Sequence, residues 1–549
     1  MRRRQSIVFG LVVVLSSLLL ASGEERRAAA APVSLMERLG HHHHPIQTRN
    51  PEAQRFFDQG LTLIYGFNHE EAIRSFRRAA ALDPEAAMPL WGIAYALGPN
   101  INRDVDPERE KAAFDAVQRA LKLAKTAVPN ERAYIEVLAR RYSEDPRANL
   151  QALAADFAKA MGELSRRYPD DLDLATLYAE SLMDLRPWRL WSLEGKPAEG
   201  TEEIVAVLES VLRRAPGHVG ANHYYIHAVE ASLHPERGLP SAKRLETLAP
   251  AAGHLVHMPA HIYMRVGDYD AAARRNSDAA KVDREYLRET ATGGSFYDLM
   301  YYAHNLHFLA AAHAAAGRSA DALKAADDLV AHVGPLVEGM PMGEFYLPTP
   351  YFVRLRFQRW DQILKTPAPD PKWVMTTSFW HLARGVASAA RGEVAAAEAE
   401  RRAIAAAALQ IPEDAEFSAY FNKARHFLDL ALATLDARIA EAKGERSRAI
   451  ELWGKAVDLG DRLNYGEPPE WYYPVRESLG GALLRSGRAV EAEKVFREDL
   501  ERNPRNPRSL FGLWRSLEAQ KRAVDAGFVK QQFDAAWAGA ETELRLEDL

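Results

Sequence analysis

The sequence predicts an all-α fold in which about twelve helical hairpins stack into a solenoid. Apolar residues recur at steps of three and four along almost the whole chain, which is the pattern of amphipathic helices. Alternating runs of β-branched residues are absent, so no sheet is expected. A longer period of about 34 residues repeats the same small, aromatic and proline positions, which indicates stacked copies of one hairpin.

The repeat is clear near the N-terminus, where Gly60, Ala72, Phe76, Ala79 and Pro84 stand at the spacing of a tetratricopeptide repeat (TPR). Small residues let two antiparallel helices approach, the phenylalanine fills the space between them, and the proline ends the second helix. Comparable sets are Ala260, Gly267, Tyr269, Ala272 and Ala279; Ala437, Gly444, Ala449, Trp453 and Ala456; and Gly480, Gly487, Ala492, Phe496 and Pro504. So many units in phase favour a repeat array over a few unrelated helix pairs.

These patterns divide the chain into successive segments. We expect a signal peptide with an Ala-rich leader at 1–31 and a His-rich arm at 32–52. A first TPR array follows at 53–330, and a Pro/aromatic-rich insertion with an irregular repeat occupies 331–377. A second TPR array completes the chain at 378–549.

The N-terminus has the order of an export signal. A basic start from Met1 to Arg4 is followed by an apolar run from Ile7 to Ala21 and by small residues suited to cleavage. An uncleaved N-terminal anchor is the alternative interpretation. No second apolar stretch approaches the roughly 18 residues that a membrane span needs. We therefore expect an exported protein, periplasmic or extracellular, that has no membrane association after cleavage.

Composition excludes several kinds of chemistry. The 549 residues include no cysteine, which rules out disulfides, thiolate zinc sites, iron–sulfur clusters and cysteine nucleophiles. The 70 basic and 75 acidic residues give a formal net charge of -5, which argues against a nucleic-acid partner. The sequence also has no Gly-rich phosphate loop, HExxH motif or nucleophile elbow. Any metal must therefore be held by His, Asp or Glu.

Candidate metal ligands lie in three successive repeats, in the segments GANHYYIHAVEAS, AGHLVHMPAHIY and YYAHNLHFLAAAH. The candidates are His223, His227, Glu230, His254, His257, His261, His304 and His307. Within each segment they stand three or four residues apart, which places them in one row of a helix at about 100° per residue. The repeat phase puts the rows on first helices, facing the concave groove, and neighbouring helices lie about 10 Å apart. We therefore expect the rows to converge.

Imidazole and carboxylate together suit a divalent transition metal, and Zn, Fe, Cu and Mn are the candidates. The ligands exceed the needs of one ion, so two ions are conceivable. A metal-free polar groove, in which the histidines pack or bind a ligand, is the alternative interpretation. Tyr224, Tyr263, Tyr301 and Asn305 flank the rows and are candidate ligand-binding residues, with helix packing as their alternative role.

Three smaller features are open to more than one interpretation. The internal run from His41 to His44 is either a flexible metal-capturing arm or a solvated segment, and we favour the second. Asn68 and His69 stand at a turn between helices, where helix capping is the expected role. The Gly/Pro-rich insertion at 465–474 is either a functional loop or a cover for the edge of a repeat.

The chain resembles a widespread group of exported bacterial TPR proteins. The resemblance rests on the segments GHHHHPI, AQRFFDQGLTLIYGFNHEEAIRSFRRAAALDP, WGIAYALGPNIN, HYYIHAVEAS and GHLVHMPAHIY, and it covers residues 40–330 well. It implies the TPR fold and export. Because the group has no settled activity, the resemblance implies no reaction and no functional residue.

Two functions remain open at the level of the sequence. The first is a scaffold that binds a protein or peptide in its concave groove, with the His/Glu cluster binding metal as a structural or sensing element. The second is a metal-dependent enzyme, an oxidoreductase or a hydrolase, whose site lies in the groove. A coordination position open to substrate would favour the enzyme, and a fully ligated ion would favour the scaffold.

Overall fold

The computed structural model describes residues 33–417, 421–471, 473 and 475–549. The expected signal peptide at 1–31 lies outside the described residues. Within them every regular element is helical, and the isolated β-bridges belong to loops. None of the described helices is long and apolar enough to cross a bilayer. The predicted all-α fold is confirmed.

Twelve helical hairpins follow one another along the described chain, as predicted. The helices are α1 Pro51–Tyr65, α2 His69–Leu82, α3 Met88–Leu97, α4 Pro107–Ala124, α5 Pro129–Leu138, α6 Leu150–Arg167, α7 Leu172–Met183, α8 Thr201–Arg214, α9 Val219–Glu230, α10 Leu239–Leu248, α11 Gly253–His257, α12 Pro259–Arg265, α13 Tyr269–Thr290, α14 Ala303–Ala315, α15 Ser319–Val337, α16 Thr349–Arg356, α17 Trp360–Lys365, α18 Val374–Ala390, α19 Val394–Ala408, α20 Ala424–Ala442, α21 Arg446–Gly460, α22 Val475–Arg485, α23 Ala489–Arg502, α24 Pro507–Ala519 and α25 Ala523–Ala536. Consecutive helices pair, except that the two short helices α11 and α12 together pair with α13. The chain is therefore a TPR-like α-solenoid.

The largest apolar core ends at Tyr346, and we use that point to divide the solenoid into two arrays; smaller cores follow, one from Phe352 and one from Leu483. One continuous core extends through the first seven hairpins as far as Tyr346, and a second core begins at Phe352. We call hairpins one to seven the first array and hairpins eight to twelve the second array. The 3-10 turn Pro341–Tyr346 lies between them, followed by the short hairpin of α16 and α17.

Local sequence explains how the hairpins begin and turn. The Asn50 side chain accepts from two backbone N–H groups in the first turn of α1, and Asn68 caps α2 by accepting from the N–H of Glu71, as expected. At the turns inside the sixth and seventh hairpins, Gly267 and Gly317 both have a φ of 76°. Only glycine takes this left-handed conformation without steric cost, so these positions fix where each first helix ends.

Aromatic rings fill the space between paired helices, as the repeat pattern predicts. The fully buried Phe76 packs against Gly60 of α1 and Gly92 of α3, where a Cβ on either glycine would collide with the ring. Phe496 of α23 makes the same contacts with Gly480 and Gly512. Burying one such ring contributes about 1.5–3 kcal/mol, so both arrays use the same source of stability.

The helices that carry the histidine rows are irregular. The first helix of the sixth hairpin is broken between α11 and α12, because Pro259 has no N–H to continue the helical ladder. In front of α14, Asp298–Tyr302 forms a π-helical turn. Such turns widen the helix by one residue and are frequent at functional sites. The side chains that follow each irregularity are therefore rotated relative to those of a regular helix.

The solenoid winds so tightly that distant repeats touch. Helix α9 packs on α1, where Gly220 leaves room for the Tyr65 ring. Between the arrays, Gly267 lies against the backbone of Pro504, and the Arg265 guanidinium lies 5.5 Å from the ring centroid of Tyr465. The concave face of the first array is therefore covered by the chain's own residues, in contrast to the open groove that a simple TPR superhelix would offer.

Candidate metal centre

Successive first helices carry the predicted ligands into the interior of the first array. Helix α9 carries His223, His227 and Glu230; α11 and α12 carry His254, His257 and His261; and α14 carries His304. The exposed fraction is 0% for His223 and His257 and 5% for His227. Because buried polar atoms are normally paired, so many adjacent imidazoles require specific partners.

The predicted ligands form three adjoining groups, and within each group the candidate ligand atoms lie within 4.8 Å of one another. We call His223, His227 and His254 trio A, and we call His257, His261 and His304 trio B. The third group joins the trios and consists of His227, Glu230, His261 and Glu467. The ring centroids of His254 and His257, which face each other across the trios, are 5.7 Å apart.

In trio B, two ring nitrogens that carry no proton face each other. His257 Nδ1 donates to Asn276 Oδ1 at 2.6 Å, and the Asn276 amide is oriented by its Nδ2, which donates to a backbone oxygen of α13 at 2.8 Å. His261 Nδ1 donates to Glu230 Oε2 at 2.6 Å, and Glu467 Oε1 lies 2.5 Å from the same nitrogen. A neutral imidazole has one proton, so Nε2 of each ring presents a lone pair. These two Nε2 atoms are 2.6 Å apart.

Two facing lone pairs at this distance repel each other unless a cation binds both. Burial lowers the pKa of His257 well below its usual range, and the neighbouring His261 and His304 lower it further. In metal-binding histidines, one ring nitrogen donates its N–H to an acceptor, and this hydrogen bond orients the other nitrogen toward the metal. The Nδ1 and Nε2 atoms of these two rings are arranged in the same way.

Two of the three rings of trio A show the same orientation. His223 Nδ1 donates to the backbone oxygen of Tyr65 at 2.5 Å, and its Nε2 lies 3.1 Å from Nε2 of His254. His227 Nδ1 donates to Glu230 Oε1 at 2.6 Å, whereas its buried Nε2 has no hydrogen-bond partner among the described residues. Burial lowers the pKa of all three histidines well below the usual range. The rings are therefore neutral, as ligation requires.

Two buried carboxyl groups lie between the trios. Glu230 ends α9, whereas Glu467 comes from the loop after α21 in the second array. Burial raises the pKa of Glu230 to about 8 and raises the pKa of Glu467 well above its usual range. Tyr465 donates to Glu467 Oε2 at 2.8 Å. A bound cation favours the ionised form of both carboxyl groups, so it would lower the pKa of Glu230 and of Glu467 again.

The sequence does not predict two members of this cluster. Glu467 belongs to the insertion at 465–474, and no spacing rule relates that loop to histidines in another array. Asn276 lies on α13, a second helix, where the repeat phase predicts packing residues. In the sequence, Asn276 is distinguished only as a polar amide among the small residues on the inner side of that helix. In the structure its side chain is 0% exposed.

One predicted ligand lies apart from the others. His307 follows His304 by one turn of α14, but its ring packs against Tyr346, with 5.4 Å between the ring centroids. Burial lowers the pKa of His307 to about 3. The structure therefore brings together seven of the eight predicted ligands and places His307 beside the turn that ends the first array.

The four predicted flanking residues divide into two pairs. Tyr301 packs edge-on against one ring of trio A at 4.8 Å between centroids, and Tyr224 lies 5.2 Å from another. Tyr263 instead donates to a glutamate of α10 at 2.5 Å, and Asn305 donates to an aspartate of α13 at 2.6 Å. The first pair borders the cluster, whereas the second pair joins neighbouring helices.

A cavity of about 1140 Å³ lies between the two arrays and reaches the cluster. His261 and Glu467 stand in its wall, together with the aromatic side chains of Trp188, Tyr465 and Trp471. Arginines and acidic residues both contribute to the wall, so neither charge dominates. The volume slightly exceeds that of typical small-molecule sites, which is about 300–1,000 Å³.

The N-terminal histidine run is packed, so the favoured interpretation as a solvated segment is wrong for two of its members. His42 Nε2 donates to Asp173 Oδ1 at 2.8 Å, and His44 Nδ1 donates to Asp173 Oδ2 at 2.9 Å. Tyr65 also donates to Oδ1, at 2.6 Å. A buried carboxylate needs such donors, which explains why the arm folds onto the array. We call this group the Asp173 cluster.

The proton positions separate the Asp173 cluster from the two trios. His218 Nδ1 accepts from a backbone N–H of α9 at 3.2 Å, so its neutral ring carries the proton on Nε2. That Nε2–H points at Asp173 Oδ1, 3.3 Å away, and offers no lone pair to a metal. Burial alone would raise the pKa of Asp173, but His42, His218 and His44 hold it well below its usual range. The cluster is therefore a hydrogen-bonded hub.

The fold and the site define a TPR-like repeat protein with a buried His/carboxylate cluster. Neither a protein-family model nor a curated protein matches the chain. Among solved structures, it is similar to the human IFIT1 dimer with m7Gppp-AAAA, with 12% identity over 83% of this chain and 90% of that chain and a TM-score of 0.35. It is also similar to a chain of the APC/C hetero-tetramer Cut9-Hcn1, with 11% identity over 97% of this chain and 81% of that chain and a TM-score of 0.29. At this identity the likeness concerns the fold alone.

Proposed function

We propose that this protein binds a divalent transition-metal ion at trio B, in the interior of its TPR-like scaffold. The supporting observation is the convergence of His257, His261 and His304, whose candidate ligand atoms lie within 4.8 Å of one another, while Nδ1 of His257 and of His261 each face an acceptor. Bonds of about 2.0–2.1 Å to one tetrahedral ion would hold the two Nε2 atoms roughly 3.3 Å apart, so a small rotation of either ring from their 2.6 Å contact opens the position. His304 supplies a third nitrogen.

The donor set restricts the kind of ion. Imidazole nitrogens with carboxylate oxygens suit Zn, Fe, Cu or Mn, and the chain has no thiolate to select a softer ion. Glu230 and Glu467 stand beside His261 and would balance part of the charge of the ion. When bound, such an ion supplies Lewis acidity, and Fe or Cu also supplies redox chemistry.

For the scaffold, we propose a ligand in the cavity between the arrays, because the concave face of the first array is covered. The wall combines aromatic faces with charges of both signs, which suits a short segment of peptide or protein. The formal net charge of -5 argues against RNA, whose phosphates need a basic surface. Binding of RNA in preference to peptide would contradict this part of the proposal.

A metal-dependent enzyme, an oxidoreductase or a hydrolase, is the second candidate. It is favoured by the position of His261 and Glu467, which belong to the cluster and also line the cavity. A ligand in the cavity could therefore reach the ion. The two candidates differ in one observable: an added small anion such as azide should change the visible spectrum of the Co²⁺-substituted protein only if a coordination position is open.

The metal proposal is tested by the ion content of protein purified without a His tag. The wild type should retain at least one divalent ion per chain after dialysis against a weak chelator. A variant with His257→Ala and His261→Ala should lose at least one ion, because both facing nitrogens are removed. Elemental analysis provides the measurement.

His307→Ala is the matched control, since it removes a buried histidine from the same helix as His304 but from outside the cluster. It should keep the wild-type ion content. Circular dichroism of each variant checks that the helices remain. Wild-type protein that retains no ion after loading with Zn, Fe, Cu and Mn would refute the proposal.

We also propose that the protein is exported, and the support is the order of charged, apolar and small residues from Met1 to Ala21. Mass spectrometry of the protein from the producing cell should find a mature N-terminus between Glu24 and Pro32. Intact Met1 in a cytoplasmic fraction would contradict export.

A further inference from the structure

We propose that the cluster binds two metal ions, the second of them at trio A. This inference rests on the proposed function, because it adds a second ion to the one assigned to trio B. It starts from three imidazoles whose candidate ligand atoms lie within 4.8 Å of one another, and none of these rings belongs to trio B.

Two rings of trio A, those of His223 and His227, are fixed in an orientation that leaves Nε2 without a proton. The backbone oxygen of Tyr65 can only accept, so His223 carries its proton on Nδ1 and presents a bare Nε2. Nε2 of His254 lies 3.1 Å from that atom. Glu230 Oε1 holds Nδ1 of His227 in the same way, at 2.6 Å.

His227 provides the second, independent observation. Its Nε2 is buried and has no hydrogen-bond partner among the described residues, although the side chain is only 5% exposed. Leaving a buried polar atom unpaired costs about 1–3 kcal/mol, so native structures rarely keep one without a reason.

Glu230 connects the two positions. Its Oε1 accepts from His227 of trio A at 2.6 Å, and its Oε2 accepts from His261 of trio B at 2.6 Å. One carboxylate therefore lies between both candidate ions and lowers the repulsion between them.

The number of ions per chain tests the inference. Stripped wild-type protein, loaded with Zn²⁺ and dialysed, should contain two ions per chain by elemental analysis. His223→Ala combined with His254→Ala should reduce the content to one, and so should His257→Ala combined with His304→Ala. The matched control is His42→Ala combined with His218→Ala in the Asp173 cluster, which should leave two ions.

Each result is decisive. One ion in the wild type would overturn the second site and leave the proposed function intact, whereas no ion would overturn both. Two ions that persist in the trio A variant would also overturn the inference. If that variant does not fold by circular dichroism, His227→Gln replaces it, because glutamine keeps a polar side chain of similar length, and it should likewise lower the content to one.

Discussion

His218 and His223 lie five residues apart at the start of α9, yet only His223 offers a nitrogen to a metal. Nδ1 of His218 accepts a hydrogen bond from a backbone N–H, so the proton of this ring is on Nε2. Nδ1 of His223 faces a backbone oxygen, so the proton of that ring is on Nδ1. The chemical role of each histidine is therefore set by one main-chain partner. Spacing alone does not distinguish them, since both belong to groups of potential ligand atoms.

At the same scale, Asp173 should be a major source of stability. The substitution Asp173→Asn removes a buried carboxylate that accepts from His42, His44 and Tyr65. We expect a loss of about 3 kcal/mol in the free energy of unfolding, since breaking a buried charged group's contacts costs about 3–5 kcal/mol. Urea unfolding measures the loss, and Glu236→Gln, which affects an exposed His–Glu pair, should change stability by less than about 1 kcal/mol.

The loss should depend on pH in a way that identifies the cause. Contact with Asp173 raises the pKa of His44 despite its burial, so this part of the stabilisation is present below about pH 6.5 and fades as pH rises through the folded pKa. The pKa of Asp173 is lowered, so its part is present above about pH 4 and fades as pH falls. The difference between wild type and Asp173→Asn should be largest between these limits. A difference that grows from pH 6 to pH 9 would contradict the assignment.

At the scale of elements, the sequence predicts what depends on local period and misses what depends on distant contacts. Steps of three and four residues place His254, His257 and His261 in one row, and the 34-residue period brings that row beside its neighbours. Glu467 enters the cluster from another array, and no local pattern records that approach. The break at Pro259 and the π-helical turn before α14 also lie outside what a regular helix predicts.

Helix α1 shows how one element serves both histidine clusters. Its last residue, Tyr65, accepts from His223 through the backbone oxygen and donates to Asp173 through the phenol. Gly220 of α9 lies against the Tyr65 ring, where a Cβ would collide with it. The close approach of α1 and α9 therefore depends on glycine at this position. This contact fixes the position of trio A relative to the Asp173 cluster.

For the molecule as a whole, the cluster is a point where the two arrays meet. Glu467 and Tyr465 come from the second array, whereas Glu230, His261 and Arg265 come from the first. Tight winding brings them together around the cavity, and it also explains why the concave face is not open. A metal ion bound by His261 would be linked to the second array through Glu467, which contacts Nδ1 of the same ring, so ion binding and closure of the cavity should be coupled.

This coupling is measurable by hydrogen exchange of the loop at 461–471. Removal of the ion should speed exchange there by about tenfold, which corresponds to a lost contact worth about 1.4 kcal/mol. Glu467→Gln should abolish the difference between ion-loaded and ion-free protein, because the neutral amide no longer balances the charge of the ion through His261. Glu470→Gln changes a carboxylate of the same loop that binds Asn422, so it should keep the difference. Equal exchange with and without the ion in the wild type would show that the second array does not contribute to the centre.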